Sequence, residues 1–252
     1  KDVARHYRIG MVPYFYEDYI YNKDVEVYAQ DPYRQTTHIT KEKHLVQTWC
    51  DMIGVPYNNE PTLLAFNFRE REVGAAAIDA LIPKNGKPLL IFQPFGGPGK
   101  DHQQHPYAWT RDMHPQIAQA VVDQLKDKYN ILHICYNFHP TLNDCIRYDE
   151  VISKKELFSM MSFSEKRLFI DSSLQHAAAA MGLPSVVAWV ATKPEQFGYP
   201  LHNNLRPSKE FPRGLVDSYL YDYNFTGVIH ECPYENMTDI HSVETIVNAV
   251  LS

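Results

Sequence analysis

Four side chains that could bind an anion or move a proton lie in one short segment, FIDSSLQHAAAAMGLPSVVAWV, at residues 169–190. An apolar run ends at Asp171, and Ser172, Ser173 and His176 follow it. Serine is a preferred N-cap, so either serine predicts the start of a helix after a buried strand. The first N–H groups of a helix point outward beside a positive dipole end and can bind an anion. His176 would lie in the first turn, within reach of the same anion.

Each of these residues also has a purely structural interpretation. A serine before a helix can be a cap and nothing more, and His176 can be a partly buried ring that is bonded to the backbone. Asp171 does not suit direct contact with a phosphate, and it fits better as a residue that fixes the turn or accepts a sugar hydroxyl. The anion site is favoured because a second candidate loop is predicted at the same edge of the sheet.

The second candidate is a glycine-rich loop, PFGGPGK, which follows another apolar run. Glycines let backbone N–H groups approach a ligand closely, and the lysine adds a positive charge, so the loop is predicted to cradle phosphate. The GxxxxGK[ST] spacing of a Walker loop is absent, and a flexible loop with a surface lysine is the alternative. The residues of this predicted phosphate loop are Gly96, Gly97, Gly99 and Lys100.

The elements that would position both loops alternate along residues 86–252. The apolar runs KPLLIFQPF, NILHICYN, RLFIDSS and PSVVAWVAT predict strands, and DEVIS predicts a further short one. Helical patterns cover residues 114–128, 154–162, 174–181 and 240–251. This alternation predicts an α/β fold, a Rossmann-like parallel sheet with helices on both faces. Ligands of such sheets bind outside the carboxyl ends of the strands, where both candidate loops lie.

The first part of the chain differs from the rest in composition and periodicity, so the sequence predicts two domains, at residues 1–85 and 86–252. The segment VPYFYEDYIYNKDVEVY is rich in tyrosine and has no clean period, whereas residues 41–53 and 68–81 predict helices. After Thr192 the chain is rich in Pro, Gly and Asn and is predicted to be loop-like up to the last helix.

Bulk composition excludes several classes of protein. The chain has 252 residues, of which 44% are hydrophobic and 21% charged, which is typical of a globular protein. A net charge of −6 argues against nonspecific binding to nucleic acid. No apolar run approaches the roughly 20 residues that a membrane span needs. The four cysteines show neither CxxC nor zinc spacing, so free thiols in a reducing compartment are expected.

The segment around residues 171–194 resembles the signature of the ADP-heptose:lipopolysaccharide heptosyltransferase family, GT-B glycosyltransferases of family nine. That signature has Asp-Ser/Thr-Gly-x-x-His, an Ala-rich helix, Gly-x-Pro and a strand that ends near Thr-x-Pro. The resemblance covers roughly residues 30–200 and includes LLIFQPFGG and KEKHLVQTWCDMIGVP. The matching positions are Asp171, Ser172, His176, Gly182, Pro184, Thr192 and Pro194.

The resemblance implies transfer of a sugar from a nucleotide-diphosphate donor to an acceptor hydroxyl, with no metal and no cofactor besides the donor substrate. It implies a glycan or lipid-linked acceptor, a role in lipopolysaccharide or surface glycan synthesis, and a cytoplasmic location, peripheral to the inner face of a membrane. Residues 86–252 would be the C-terminal donor domain, preceded by a partial acceptor-side domain. The donor nucleoside would contact Asn137, His139 and Ser153.

The chain departs from the family pattern at several positions. Ser173 stands where the family has glycine. The family's phosphate-binding lysine is not in register in HPYAWTRDMHP, where Arg111 is the best substitute and Lys100 the next. The family's first domain is about twice as long as residues 1–85, and its catalytic carboxylate lies near the N-terminus. The candidates for that carboxylate are Asp18 and Asp24.

Two other functions fit the same residues. The first is a non-catalytic domain that binds a nucleotide or nucleotide sugar, because no catalytic base is identified. The second is a sugar-nucleotide epimerase of the same architecture. Hydrolysis of a donor without acceptor would distinguish the transferase from the binding domain, and analysis of the product would distinguish it from the epimerase.

Overall fold

The structure, a computed structural model, divides into two compact units, Lys1–Asn59 and Glu60–Ser252. In the first unit, helix α1 spans Leu45–Met52, and the ring of His44 caps it by accepting the N–H of Val46. The helix predicted over 41–53 is therefore present with shorter bounds. The residues that the structure describes are 32, 35, 37–38, 43–96, 110–149, 153–209 and 234–252.

The second unit contains a six-stranded parallel sheet and the helices that cover it. The strands are β1 Leu89–Gln93, β2 Asn130–Ile134, β3 Ile146–Tyr148, β4 Lys166–Ile170, β5 Val186–Ala188 and β6 Asn203–Leu205. The helices are α2 Phe68–Leu81, α3 Pro115–Leu125, α4 Lys154–Met160, α5 Ser173–Ala180, α6 Pro194–Phe197 and α7 Val243–Leu251. Short 3₁₀ helices span Met161–Phe163 and Met237–Asp239. None of the helices in the described ranges is long and apolar enough to cross a membrane.

The strands lie in the order β3-β2-β1-β4-β5-β6, and every neighbouring pair is parallel. Leu90 of β1 pairs with Ile131 of β2 on one side and with Lys166 of β4 on the other. The chain order reverses between β1 and β4, and this switch point is where doubly wound sheets bind their ligands. The predicted Rossmann-like α/β class is confirmed.

Alternate residues of β1 belong to separate cores on the two faces of the sheet. Leu90 and Phe92 pack in one core with apolar residues of α3 and α7. Leu89 and Ile91 pack in the other core with residues of α2, α4 and α5. Because both faces are covered, the strands are buried on both sides, and this explains their continuous apolar sequences.

Two strands lie where the sequence does not predict them. A short strand is predicted at DEVIS, of which residues 150–152 lie outside the described residues, whereas β3 lies earlier in the chain and Ser153 caps α4. The predicted loop after Thr192 contains α6 and the edge strand β6. Strands β3 and β6 have three residues each, too few to show a period, and the β6 sequence NNL contains poor strand formers. Their backbone pairing with β2 and β5 decides their conformation.

Helix α2 belongs to the sheet unit because it is bonded to α4. The Nζ atom of Lys155 lies 2.9 Å from Oε1 of Glu70, and the Ser159 hydroxyl donates to the Glu70 carbonyl at 2.9 Å. The boundary of the compact unit at Glu60 therefore comes before the domain boundary predicted at 85/86. The assignment of residues 1–85 to an acceptor-side domain stays a prediction.

Gly74 permits the close approach of α2 to α4, and Gly74→Ala is expected to destabilise the protein. A Cβ at this position would lie 2.2 Å from the Oγ atom of Ser159 and 3.1 Å from the backbone nitrogen of Met160. Alanine gains about 1 kcal/mol of helix propensity. The collision costs about 1–3 kcal/mol, and displacing Ser159 breaks a bond worth about 1 kcal/mol. Urea unfolding should therefore show a net loss of roughly 1–3 kcal/mol.

The exposed neighbour Ala76 provides the control, because Ala76→Gly changes the helix propensity of α2 without changing its packing against α4. Its expected cost is about 1 kcal/mol. A gain of stability in Gly74→Ala would show that the two helices do not approach each other this closely.

Candidate functional site

The switch point brings the two predicted loops together at the carboxyl edge of the sheet. Residues 94–96 follow β1, and residues 171–172 follow the adjacent strand β4. The Ser172 hydroxyl donates to Oε1 of Gln93 at 2.5 Å and accepts the N–H of Leu174 at 3.3 Å. Of the two serines that the sequence predicts as candidates for the cap, Ser172 is the one that caps α5, and it also joins the ends of β1 and β4.

A strap made of residues 110–113 crosses the same edge. The N–H of Met113 donates to the Pro94 carbonyl at 2.9 Å, which fastens the strap to the end of β1. The N–H of Ala191 donates to the Thr110 carbonyl at 2.8 Å, which fastens the strap to the chain that follows β5. Two backbone bonds thus hold the strap, and with it Arg111, over the ends of the strands.

Gly96 lies between a carboxylate and a guanidinium. Its N–H donates to Oδ1 of Asp112 at 2.8 Å, and Asp112 is 4% exposed. A Cβ at Gly96 would lie 2.8 Å from Nε of Arg111, so a larger residue would displace the guanidinium. The sequence predicted that the Gly96 N–H binds phosphate, but the structure gives this N–H to Asp112. Gly96 instead makes room for Arg111, which lies at the predicted phosphate loop.

His139 fixes the same loop from the β2 side. Its Nδ1 accepts the N–H of Tyr136 at 3.1 Å, and its ring packs against that of Phe95, with centroids 5.5 Å apart. Burial lowers the pKa of His139 to about 4, the backbone of Gly96 opposes this effect, and the charges of Arg147 and Arg111 add to it. His139 therefore packs the turn after β2 against the end of β1, and its predicted contact with the nucleoside stays a prediction.

His176 projects from α5 toward the end of β4. Its Nδ1 lies 3.0 Å from the hydroxyl of Tyr199, and its Nε2 lies 4.0 Å from Oδ1 of Asp171. Burial lowers the pKa of His176, and the Asp171 carboxylate opposes this effect. The side chain of His176 is 40% exposed and that of Asp171 15%, so the ring remains accessible at the edge. This placement suits the predicted contact with an anion.

The other predicted nucleoside contacts lie near the ends of β2 and β3. Asn137 is exposed in the turn after β2. The Ser153 hydroxyl accepts the N–H of Glu156 at 3.2 Å, and the Glu156 carboxylate accepts the N–H of Ser153 at 3.0 Å. Ser153 thus forms a capping box for α4. The predicted site residues that lie outside the described residues, and stay predictions, are Asp18, Asp24, Gly97, Gly99 and Lys100.

Three residues at the site carry almost no signal in the sequence. Gln93, Asp112 and Tyr199 act through hydrogen bonds to residues that lie 79, 16 and 23 positions away. The polar Gln93 at the end of an apolar strand is the one local hint. The three bonds depend on the sheet order, which local patterns do not specify.

The order of the strands and their parallel pairing define a doubly wound α/β domain, and its polar groups gather at the switch point. The sequence matches no protein-family model and no curated protein.

Several solved structures share the fold. A glycosyl transferase of family 9 from Veillonella parvula matches with a TM-score of 0.60 and 12% identity, over 91% of this chain and 63% of that chain. The iron-containing dodecameric glycosyltransferase TibC from enterotoxigenic E. coli matches with a TM-score of 0.57 and 14% identity, over 84% of this chain and 52% of that chain. TibC in complex with ADP-D-β-D-heptose matches with a TM-score of 0.51 and 14% identity, over 84% and 53%.

These matches confirm the predicted GT-B type of α/β fold and, at the level of fold, the resemblance to family-nine heptosyltransferases. At 12% to 14% identity, the fold is what the proteins are shown to share. The chain spans 63% of the length of the Veillonella protein and about half the length of TibC.

Proposed function

We propose that residues 86–252 bind the nucleotide-diphosphate sugar of a glycosyltransferase at the switch point between β1 and β4. The observation that carries the proposal is that the Arg111 guanidinium lies at Gly96, after β1, while the Gln93–Ser172 bond joins the end of β1 to the N-terminus of α5. A guanidinium binds two phosphate oxygens at once, and the N-terminus of a helix adds aligned N–H groups. His176 lies beside this pair, so three kinds of donor can face one diphosphate.

The proposed reaction forms a bond between the acceptor oxygen and the anomeric carbon of the sugar, and it breaks the bond from that carbon to the diphosphate oxygen. Negative charge develops on the departing diphosphate, and Arg111, His176 and the α5 N–H groups would stabilise it. The proton of the acceptor hydroxyl must pass to a general base. Asp18 and Asp24 stay the candidates for this base.

Binding of the donor without metal is part of the proposal. The sequence contains no Asp-x-Asp pair, which metal-requiring transferases typically use to hold the cation. In the described ranges, no group of three or more His, Cys, Asp or Glu side chains could hold a metal ion. TibC, which shares the fold, is iron-containing, so metal dependence has to be measured.

The proposed partners are a nucleotide-sugar donor and a glycan or lipid-linked acceptor, in lipopolysaccharide or surface glycan synthesis. TibC has been crystallised with ADP-D-β-D-heptose, which supports an ADP-linked sugar as the first donor to test. The proposed location is the cytoplasm, at the inner face of a membrane.

Calorimetry with ADP, UDP and GDP in excess EDTA tests the proposal, and binding of at least one of them is expected. If the folded protein binds none of them, the proposed diphosphate site at the switch point is wrong. Incubation with ADP-heptose then measures hydrolysis of the donor without acceptor. Binding without hydrolysis would favour a non-catalytic nucleotide-binding domain, and an epimerised nucleotide sugar as product would favour an epimerase.

His176→Ala is expected to weaken binding of the diphosphate about ten- to a hundredfold, with little effect on the free nucleoside. A hydrogen bond to a charged group is worth about 1.5–3 kcal/mol, and the nucleoside has no phosphate for the ring to contact. Calorimetry with ADP and adenosine measures the two affinities.

Tyr199→Phe is the control for His176→Ala, because it removes the hydroxyl that Nδ1 of His176 contacts but keeps the ring. If His176 has only a structural role, both variants should melt at lower temperature while the folded fraction keeps its affinity for ADP.

A further inference from the structure

The turn after β2 presents an aromatic ring at the carboxyl edge of the sheet. Tyr136 follows β2 by two residues, is 48% exposed and stacks on Phe138, with ring centroids 5.4 Å apart and planes within 4° of each other. Almost half of the Tyr136 residue is exposed, so part of its ring is accessible at this edge. The ring lies at the edge where doubly wound sheets bind their ligands.

The backbone around this ring is held rigidly. Nη2 of Arg147 donates to the Tyr136 carbonyl at 2.7 Å, and Nε of the same guanidinium donates to Oδ2 of Asp149 at 3.0 Å. The His139 ring packs edge-on against Tyr136, with centroids 5.4 Å apart, and against Phe138, with centroids 4.8 Å apart. The Tyr136 ring is therefore preorganised, which lowers the entropic cost of stacking a ligand on it.

One imidazole connects this ring to the predicted phosphate loop. His139 accepts the N–H of Tyr136, and its ring packs 5.5 Å from that of Phe95, the residue before Gly96, over which Arg111 passes. Tyr136 and the proposed phosphate site thus lie at neighbouring strand ends, on the same edge of the sheet. A nucleoside diphosphate has the matching layout, with a flat aromatic base at one end and two phosphates at the other.

We infer that the exposed part of the Tyr136 ring stacks the nucleobase of the donor, with Phe138 packed against the same ring. This inference rests on the proposed function, because it assigns the base of the same nucleotide whose diphosphate faces Arg111. Every nucleobase has a π-face, so the contact supplies affinity without selecting one base. It makes Tyr136 a binding residue, and it makes His139 the residue that sets the spacing between base and phosphates.

The test compares Tyr136→Ala with the wild-type chain by calorimetry, using ADP, UDP and inorganic pyrophosphate as probes. Stacking on an aromatic side chain is worth about 1–3 kcal/mol per base, so the variant should bind ADP and UDP about ten- to a hundredfold more weakly. Its affinity for pyrophosphate, which has no base, should change by less than about twofold. Tyr136→Trp should restore the affinity for both nucleotides.

Phe163→Ala is the matched control, because Phe163 is 39% exposed and immediately precedes the segment that leads into β4, at the opposite edge of the sheet. It should leave all three affinities unchanged. Unchanged ADP binding in Tyr136→Ala, with the wild-type chain binding ADP, would overturn the stacking contact and leave the proposed function standing. An equal loss for ADP and pyrophosphate would also overturn it, since Tyr136 would then act through the loop. Failure of the wild-type chain to bind any nucleotide would overturn both proposals.

Discussion

Arg111→Ala is expected to weaken binding of nucleoside diphosphates about ten- to a hundredfold and to reduce the dependence of the affinity on salt. Its guanidinium passes over Gly96 at the end of β1, where it can grip two phosphate oxygens. Charge-assisted bonds of this kind are worth about 1.5–3 kcal/mol each. Arg111→Lys should recover only part of the loss, because an ammonium is a point charge and does not bind phosphate in a bidentate way. Calorimetry with ADP at two salt concentrations measures both effects.

Three further variants test whether Arg111, and not another residue, supplies the cation that binds the phosphates. Gly96→Ala should mimic Arg111→Ala, because the new methyl group would collide with Nε of Arg111 while the Gly96 N–H could still reach Asp112. Arg71→Ala removes an exposed arginine from α2 and should leave binding unchanged. A larger loss in Lys100→Ala than in Arg111→Ala would mean that the glycine-rich loop supplies the cation. If none of these changes affects binding, the likeness to glycosyltransferases is one of fold alone.

Acid is expected to destabilise the protein steeply between pH 6.5 and about pH 4.5. Burial lowers the pKa of His133 to about 3 and the pKa values of His139 and His241 to about 4. In the unfolded chain each would titrate near pH 6.5. As the pH falls below 6.5, the unfolded chain therefore binds protons that the folded chain does not, and the free energy of unfolding decreases. Each histidine contributes about 1.4 kcal/mol per pH unit, so the three together contribute about 4 kcal/mol per unit.

Two buried histidines provide the test, because only one of the two rings has a hydrogen-bond partner among the described residues. His133 is fully buried, with its ring 5.7 Å from that of Phe95, and neither of its nitrogens has a hydrogen-bond partner among the described residues. His241 donates from Nε2 to the Trp189 carbonyl at 2.8 Å. Urea unfolding at pH 7, 6 and 5 measures the free energies.

Both His133→Leu and His241→Leu should reduce the dependence of the free energy of unfolding on pH by about 1.4 kcal/mol per pH unit. At pH 7 the two variants should differ in stability. His133→Leu should be neutral or stabilising, because it removes buried polar atoms that are not paired, whereas His241→Leu should cost about 1–3 kcal/mol by leaving a buried carbonyl unpaired. A large loss of stability in His133→Leu at pH 7 would show that its ring has a hydrogen-bond partner. An unchanged slope in either variant would contradict the lowered pKa of that residue.

The sequence by itself determined the class of fold, and it predicted that the candidate site residues lie at the carboxyl edge of the sheet. Continuous apolar runs at residues 89–93, 130–134 and 166–170 are typical of strands buried on both faces, and the helical periods between them require a parallel sheet. Ser172 could be predicted as a cap, because capping depends on a bond to an N–H only two or three residues away. These features depend on residues that are close together in the sequence, so local sequence patterns are enough to predict them.

Only the tertiary structure decided what each polar group at the site does. The Gly96 N–H is bonded to Asp112, the Ser172 hydroxyl to Gln93, and His176 to Tyr199. The edge strand β6 likewise forms through its pairing with β5, against the weak strand propensity of its own residues. In each case the partner is distant along the chain and is brought close by the order of the strands. A hydrogen bond between such residues leaves no period or spacing in the sequence, because it depends on the packing of the whole sheet.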